Sequence, residues 1–410
     1  MSQVVIDPTS RADDVRPFRI NVPESDLIEL RRRISASKWP EHETVTDPSQ
    51  GVQLATMKNL MQYWQTDYDW RKIEGKLNAL PQFITNIDGL DIHFIHVRSK
   101  HENALPIIVT HGWPGSIIEQ LKIIEPLTNP TAHGGSANDA FHVVIPSIPG
   151  YGFSGKPAAP GWGPPRVAKA WDTLMKRLGY TRYVAQGGDL GSIISETMAR
   201  IAPQGLLGIH LNLYFIPPQE IAKALATNQP APAGLSEEEK EDYQKRMRFQ
   251  TQGEAYLIQM TLRPQTIGYS LTDSPMGLAA WVLDHDAGSY DLISSAFEGH
   301  PEGLTRDDVL DNITLYWLTN TGASASRSYW EGGRARAAAA ASGVIPPDIK
   351  IPVAVSVFPN EIFGAPRSWV EKSYRNLGYY HEVDRGGHFA AWEQPQLFAE
   401  ELRAAFRPLR

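Results

Sequence analysis

The chain of 410 residues contains no cysteine. This absence excludes disulfide bonds, a cysteine nucleophile and a cysteine-ligated zinc site, although it leaves the cellular compartment open. No uninterrupted apolar run reaches the roughly 18 residues that a membrane-spanning helix needs. The first residues, MSQVVIDPTSRADDVRPF, also lack the apolar stretch of a secretory signal. We therefore expect a soluble, cytoplasmic protein with no membrane span.

An excess of basic charge is also missing. The sequence has 39 Lys and Arg residues against 46 Asp and Glu residues, which gives a formal net charge of −7. Because nucleic acids attract strongly basic surfaces, this balance argues against a nucleic-acid partner. Apolar residues, by contrast, are plentiful. They make up 42% of the chain, with 11 tryptophans, which is enough for a sizeable core and an apolar pocket.

The pattern of apolar residues changes several times along the chain. Residues 1–90 have mostly helical periodicity, and we expect a helical segment that packs on the core. Over residues 91–216 short β-branched runs alternate with helical stretches, which predicts the first part of an α/β core with a mostly parallel sheet. Residues 217–345 predict a helical and irregular insertion that includes the low-complexity stretch RARAAAAASG. The sheet pattern returns over residues 346–410, which form the second part of the core.

The stretch VAQGGDLGSIIS, residues 184–195, predicts a strand, a tight turn and a helix. In a small-x-nucleophile-x-small turn the central side chain points out of the sheet edge, beside a helix N-terminus that favours an anion. Glycines at positions 187 and 191 let the backbones approach each other. The central residue is Asp189, where serine is usual. The alternative is that Asp189 only caps the helix.

An aspartate at that position suggests a particular chemistry. A carboxylate is ionised at pH 7 and attacks without the help of a base. It suits displacement at an sp³ carbon that bears a leaving group. The product is then an ester of the enzyme, which water must cleave. The predicted substrate is therefore an electrophilic carbon, as in an epoxide or an alkyl halide.

The residues that would assist Asp189 come later in the chain. An α/β-hydrolase has its nucleophile, acid and histidine in that order. His388 follows two glycines in YYHEVDRGGHFAAWEQP and fits the histidine. Glu361 follows the strand-like IPVAVSVFPN and fits the acid, because α/β sites gather at the carboxyl ends of strands. The acids that compete with Glu361 are Asp384, Asp284 and Asp286. Other histidines are interpreted as structural, among them His111, His142, His210 and His285.

A second loop supplies backbone donors. The segment THGWPGS, residues 110–116, closes the first strand of the core, and HG-x-P loops turn a backbone N–H into the pocket. Together with the N–H of Leu190, the N–H of Trp113 would form an oxyanion hole. The alternative is a proline turn that simply ends a strand.

Taken together, these motifs resemble those of the microsomal-type epoxide hydrolases. The resemblance covers almost the whole chain and includes FRINVPESDLIELRRRISASKWPE, HGWPGS, PSIPGYGFS, QGGDLGS, VFPNE and GGHFAAWEQP. It implies an α/β-hydrolase fold in which the helical insertion forms a lid. It also implies that Asp189 opens an epoxide to form a hydroxyalkyl ester. His388, oriented by Glu361, would then activate the water that releases a vicinal diol.

The resemblance assigns further roles that spacing does not reveal. Tyr256 in GEAYLIQ and Tyr329 in ASRSYWE match two lid tyrosines that hydrogen-bond the epoxide oxygen in this family. The resemblance also implies a small apolar epoxide as substrate, no metal or organic cofactor, and a part in detoxification or aromatic hydrocarbon catabolism. It leaves a homodimer open. Many members have tryptophan after the nucleophile, and Leu190 in its place reshapes the floor of the pocket.

Two other functions are compatible with the sequence. A haloalkane or haloacid dehalogenase uses the same aspartate, histidine and acid, but halide binding usually involves a side-chain N–H that Leu190 does not have. A hydrolase-fold protein without catalytic activity could also bind a ligand. Diol formation, chloride release or neither distinguishes the three functions.

Overall fold

The computed structural model describes residues 14–300, 303–343 and 347–410. Residues 1–13, which include most of the N-terminal segment for which no secretory signal is predicted, lie outside the described part. Residues 301–302 and 344–346, within or at the end of the predicted insertion, lie outside it as well.

One mostly parallel sheet organises the described residues. Its strands are β1 (Arg16–Pro17), β2 (Gln82–Ile87), β3 (Leu90–Val97), β4 (Leu105–Thr110), β5 (Phe141–Pro146), β6 (Tyr183–Gly187), β7 (Leu206–Leu211), β8 (Val353–Val357) and β9 (Leu377–Glu382). Their order across the sheet is β1-β2-β3-β5-β4-β6-β7-β8-β9. The pairs from β1 to β5 are antiparallel, and all pairs from β5 to β9 are parallel. The predicted α/β class is confirmed.

The composition of the central strands follows from their burial. In β4, β5 and β6 almost every residue is buried. Parallel strands that are covered on both faces have continuous apolar runs instead of an alternating pattern, which explains the sequences PIIVT and HVVIP. At the antiparallel end, β2 and β3 form a hairpin whose turn residues, Asp88 and Gly89, both have positive φ.

Helices cover the sheet and extend beyond it. They are α1 (Glu24–Ser35), α2 (Leu54–Thr66), α3 (Trp70–Asn78), α4 (Ile124–Thr128), α5 (Pro164–Arg177), α6 (Leu190–Ile201), α7 (Gln219–Ala226), α8 (Glu237–Arg248), α9 (Ala255–Leu262), α10 (Pro264–Asp273), α11 (Pro275–Leu283), α12 (Ala287–Glu298), α13 (Arg306–Thr319), α14 (Gly322–Ser342), α15 (Arg367–Ser373), α16 (Ala390–Glu393) and α17 (Pro395–Phe406). Helices α7 to α14 lie between β7 and β8 and are called the lid below. None of the described helices combines the length and apolar character that crossing a bilayer requires.

The N-terminal helices are connected to the lid. Helix α2 packs against α11, α12 and α13. The indole N–H of Trp64 donates to the hydroxyl of Thr314 at 2.9 Å, and the hydroxyl of Tyr68 donates to Asp311 at 2.8 Å. All four side chains are buried. Because β1 and β2 of the same segment belong to the sheet, the N-terminal segment ties the lid to the core.

Three chain segments meet at the edge of the sheet beside the lid. Thr110 at the end of β4 is in register with Gly187 at the end of β6. The loop after β8 contains Glu361. Since parallel strands bring their carboxyl ends to the same edge, the loops that follow β4, β6 and β8 converge there.

Candidate active site

Asp189 lies in a sharp turn between β6 and α6. Its backbone has φ 49° and ψ −125°, a conformation that is strained for a residue with a side chain. Neighbouring glycines make the turn feasible. A side chain at Gly191 would overlap the carbonyl oxygen of Thr110, and one at Gly187 would overlap the backbone of Gly191. The spacing of small residues around Asp189 is therefore a steric requirement of the turn.

The carboxylate of Asp189 is held by a backbone donor from the neighbouring loop. The N–H of Trp113 donates to Oδ1 of Asp189 at 2.9 Å. Gly112 makes room for this contact, because a side chain there would overlap the Asp189 carboxylate. Leu190 is the first residue of α6, so its N–H has no acceptor within the helix. The site therefore offers the Trp113 N–H to negative charge on Oδ1, and it has a second backbone N–H, that of Leu190, at the start of α6.

His388 and Glu361 form a buried pair beside Asp189. Nδ1 of His388 is 2.6 Å from Oε1 of Glu361, and Nε2 of His388 is 3.9 Å from Oδ2 of Asp189. A parallel β-bridge between Asn360 and Gly387 holds the two loops together. Burial lowers the pKa of His388, but the charges of Glu361 and Asp189 outweigh it and raise that pKa to about 10. In the free protein His388 is thus a cation between two carboxylates.

The contacts of the acidic side chains distinguish Glu361 from its competitors in the sequence. Asp384 is exposed and lies 3.4 Å from Arg385. Asp284 is exposed as well, and Asp286 contacts a different histidine, His285, at 2.8 Å. Among these acids, Glu361 is the one that bonds to His388.

The two predicted lid tyrosines meet above the sheet edge. Tyr256 lies on α9 and Tyr329 on α14, and their ring centroids are 6.0 Å apart at an interplanar angle of 84°. Both are buried. Burial first, and the nearby Asp189 carboxylate second, raise the pKa of both phenols well above its usual value. Both therefore remain protonated donors. Among the described residues, Tyr329 Oη has no hydrogen-bond partner.

Known proteins share both the sequence and the fold of this chain. A family model for the epoxide hydrolase N terminus matches residues 15–120, and one for the alpha/beta hydrolase fold matches residues 106–256. A protein of Stigmatella aurantiaca strain DW4/3-1, provisionally named an epoxide hydrolase, is 52% identical, with 97% of this chain and 86% of that protein aligned. Epoxide hydrolase 1 of Sus scrofa is 33% identical over 97% of this chain and 89% of its own length. The chain belongs to the epoxide hydrolase family.

A solved structure supports the same assignment. The juvenile hormone epoxide hydrolase of the silkworm Bombyx mori superposes with a TM-score of 0.84 and 29% identity, over 97% of this chain and 96% of that one. The α/β-hydrolase fold predicted for the chain is therefore confirmed. The helical insertion of this epoxide hydrolase family member is the lid that carries Tyr256 and Tyr329.

Three of the four histidines interpreted as structural form hydrogen bonds with backbone or serine groups. Nε2 of His111 accepts from the N–H of Ile148 at 3.2 Å, Nδ1 of His142 accepts from a backbone N–H, and Nε2 of His210 is 2.9 Å from a serine hydroxyl. His285 is different, because its ring centroid is 4.7 Å from that of His388. The sequence reasoning missed this placement. The signal available in the sequence is the pair of acids on both sides of His285 in LDHD, which the sequence analysis treats only as alternatives to Glu361.

Two spaces adjoin the cluster of Asp189, His388 and Tyr256 in this family member. A cavity of about 1010 Å³ lies between the lid and the loop of Glu361, and Tyr256 and His285 line it. A void of about 10 Å³, close to the size of one water, lies against Asp189, His388 and Trp113. The larger cavity is of a size that accommodates an organic substrate.

Proposed function

We propose that the chain converts epoxides into vicinal diols through a covalent ester on Asp189. The observation that carries this proposal is the geometry of one buried cluster. A carboxylate in a strained turn faces a histidine–glutamate pair at 3.9 Å, with two protonated phenols nearby. A nucleophile, a base and donors for an alkoxide are the three groups that this reaction needs.

Asp189 opens the ring in the first step. Because Oδ1 is held by the Trp113 N–H, Oδ2 is the oxygen that attacks the epoxide carbon. A C–O bond forms to Oδ2, and the ring C–O bond breaks with its electron pair on the epoxide oxygen. Tyr256 or Tyr329 donates a proton to that oxygen, and the protonated His388 is the source that restores the phenol. The product is a hydroxyalkyl ester whose carbonyl oxygen is Oδ1.

Formation of the ester prepares His388 for the second step. The negative charge of Asp189 contributes to the high pKa of His388 in the free protein, and esterification removes that charge. The pKa of His388 must therefore fall when the ester forms, which releases a neutral base. His388 then takes a proton from water, and the hydroxide attacks Cγ of Asp189. The backbone N–H groups of Trp113 and Leu190 stabilise the oxyanion on Oδ1, by about 3 kcal/mol per donor.

Removal of the phenol hydroxyls should slow ring opening selectively. We expect Tyr256→Phe and Tyr329→Phe each to lower the alkylation rate by roughly 10- to 100-fold, and the double variant by about 10³-fold, because the alkoxide loses its donors. Hydrolysis of the ester should change far less. Single-turnover kinetics with quenched samples measure both steps. Tyr269→Phe is a matched control, since Tyr269 is 70% exposed. Equal slowing of both steps would contradict the assigned role.

Product analysis tests the proposed activity directly. Incubation with styrene oxide should yield phenylethanediol, whereas 1-chlorobutane should release no chloride. Halide release without diol formation would instead indicate a dehalogenase. If neither diol from aryl, alkyl and terpenoid epoxides nor chloride from the chloroalkane is formed, a ligand-binding protein without catalytic activity is favoured.

A further inference from the structure

A second histidine lies against the catalytic residues and has no place in the mechanism above. The ring of His285 lies between those of Tyr256 and His388, with centroid distances of 4.5 Å and 4.7 Å. His285 is 1% exposed. It comes from the lid, directly after α11, whereas His388 comes from the core.

One nitrogen of His285 is fixed and the other is free. Nδ1 is 2.8 Å from Oδ2 of Asp286, whose Oδ1 accepts from the N–H of Ser289 at 3.0 Å. Burial raises the pKa of Asp286, but the bond from His285 outweighs it and keeps the pKa below its usual range. An ionised Asp286 places the ring proton on Nδ1. In the tautomer with its single proton on Nδ1, the ring presents Nε2 as an acceptor, and Nε2 is buried with no partner among the described residues.

The distances in this cluster fit a water better than a metal ion. A ring nitrogen of His285, one of His388 and an oxygen of Asp189 lie within 4.8 Å of one another. Tetrahedral zinc with bonds of about 2.1 Å would need ligand atoms roughly 3.4 Å apart. Nε2 of His388 and Oδ2 of Asp189 are already 3.9 Å apart. One water that donates two hydrogen bonds of about 2.8 Å spans roughly 4.6 Å between its acceptors.

We propose that His285 positions the hydrolytic water for attack on the Asp189 ester. This inference rests on the covalent mechanism proposed above. The water donates one hydrogen bond to Nε2 of His285 and the other to Nε2 of His388. With both hydrogens engaged, an oxygen lone pair points to Cγ of Asp189. His388 takes the proton as the new C–O bond forms, while the second hydrogen stays on the oxygen and keeps its bond to His285. Cleavage of the bond between Cγ and Oδ2 then gives the diol alkoxide, which His388 protonates, and the carboxyl group of Asp189 passes its remaining proton to His388.

Two substitutions of similar size distinguish this role from a structural one. In His285→Asn the amide nitrogen occupies the place of Nδ1 and keeps the bond to Asp286, but nothing replaces Nε2. In His285→Gln the amide group reaches the place of Nε2 and offers an oxygen to the water, but the bond to Asp286 is lost. Positioning of water predicts that Asn is the damaging change and Gln the tolerated one. Support of Asp286 predicts the reverse, and simple ring stacking predicts that both are damaging.

The measurement is single-turnover kinetics of the full chain with excess enzyme over styrene oxide. Loss of substrate reports alkylation, and intact-protein mass spectrometry follows the ester. We expect His285→Asn to slow ester hydrolysis about 100-fold, the usual scale of a misplaced reactant, and to change alkylation less than about 3-fold. His285→Gln should stay within about 5-fold of wild type in hydrolysis. Melting temperatures of both variants show that they fold.

Each other outcome has a definite meaning. Ester hydrolysis at the wild-type rate in His285→Asn, or equal slowing in both variants, overturns the role of His285 and leaves the covalent mechanism intact. The absence of any ester in wild type, in both His285 variants and in His388→Gln overturns the covalent mechanism, and the role of His285 with it.

Discussion

Replacement of Asp189 with alanine should remove turnover of every epoxide that the wild type accepts, by more than about 10⁴-fold. Glu361, the neighbouring carboxylate, cannot substitute as nucleophile, because it is bonded to Nδ1 of His388 and faces the far side of that ring. The phenols of Tyr256 and Tyr329 stay protonated and are therefore weak nucleophiles. Alkylation should vanish together with turnover, because both depend on Oδ2 of Asp189.

A control has to show that the Asp189→Ala variant loses activity because it lacks the nucleophile and not because it fails to fold. Aspartate and alanine both have to adopt φ near 49° at position 189, which costs about 1–3 kcal/mol in a non-glycine residue. The substitution also removes the acceptor of the Trp113 N–H. The melting temperature of Asp189→Ala should therefore be compared with that of the wild type. Asp384→Ala removes an exposed acid that the structure places away from His388, and it should retain full activity. The role of Asp189 would be contradicted if a folded Asp189→Ala variant formed diol at a rate less than roughly 10²-fold below that of the wild type.

Replacement of His388 with glutamine should stop the reaction halfway. Asp189 keeps its Trp113 donor and its charge, so ring opening proceeds, although the phenol is restored more slowly. Hydrolysis loses its base and should slow by roughly 10³- to 10⁴-fold. The ester should then accumulate, and the intact protein should gain the mass of one substrate molecule.

The position of the added mass makes this prediction specific. Peptide mapping should locate it on the peptide that contains Asp189. His300→Gln, a change of an exposed histidine, serves as the matched control and should show no accumulated adduct. If the wild type is active and the His388→Gln protein stays unmodified, ring opening by Asp189 and ester hydrolysis by His388 are wrongly assigned.

The sequence was sufficient for those parts of the site that depend on short-range order. The turn at Asp189 needs its strand, its glycines and its helix within a dozen residues, so the pattern was visible. The close approach of Gly191 to Thr110 explains why glycine is required there. The converging loops of Trp113, Glu361 and His388 could also be predicted, because carboxyl ends of parallel strands share one edge.

Features that depend on how distant segments pack could not be predicted in the same way. His285 reaches His388 only because the lid folds over the sheet edge, and its local sequence shows just two flanking acids. The two-residue strand β1 is too short to have an apolar pattern, and its pairing with β2 supplies its structure.

One local feature also differs from its prediction. The sequence places the stretch RARAAAAASG in a helical and irregular insertion, and in the structure α14 continues through it to Ser342. Alanine has the highest helix propensity, and low complexity concealed that signal.

The mechanism requires that the carboxylate of Asp189 becomes esterified to the substrate carbon. One turnover in ¹⁸O-water with enzyme in excess reveals whether this ester forms. Because water attacks Cγ of Asp189, the label should appear in the peptide that contains Asp189, and the diol should carry the unlabelled carboxylate oxygen. Label in the diol after that single turnover, with none in the Asp189 peptide, would show that water opens the ring itself and that no ester forms on Asp189.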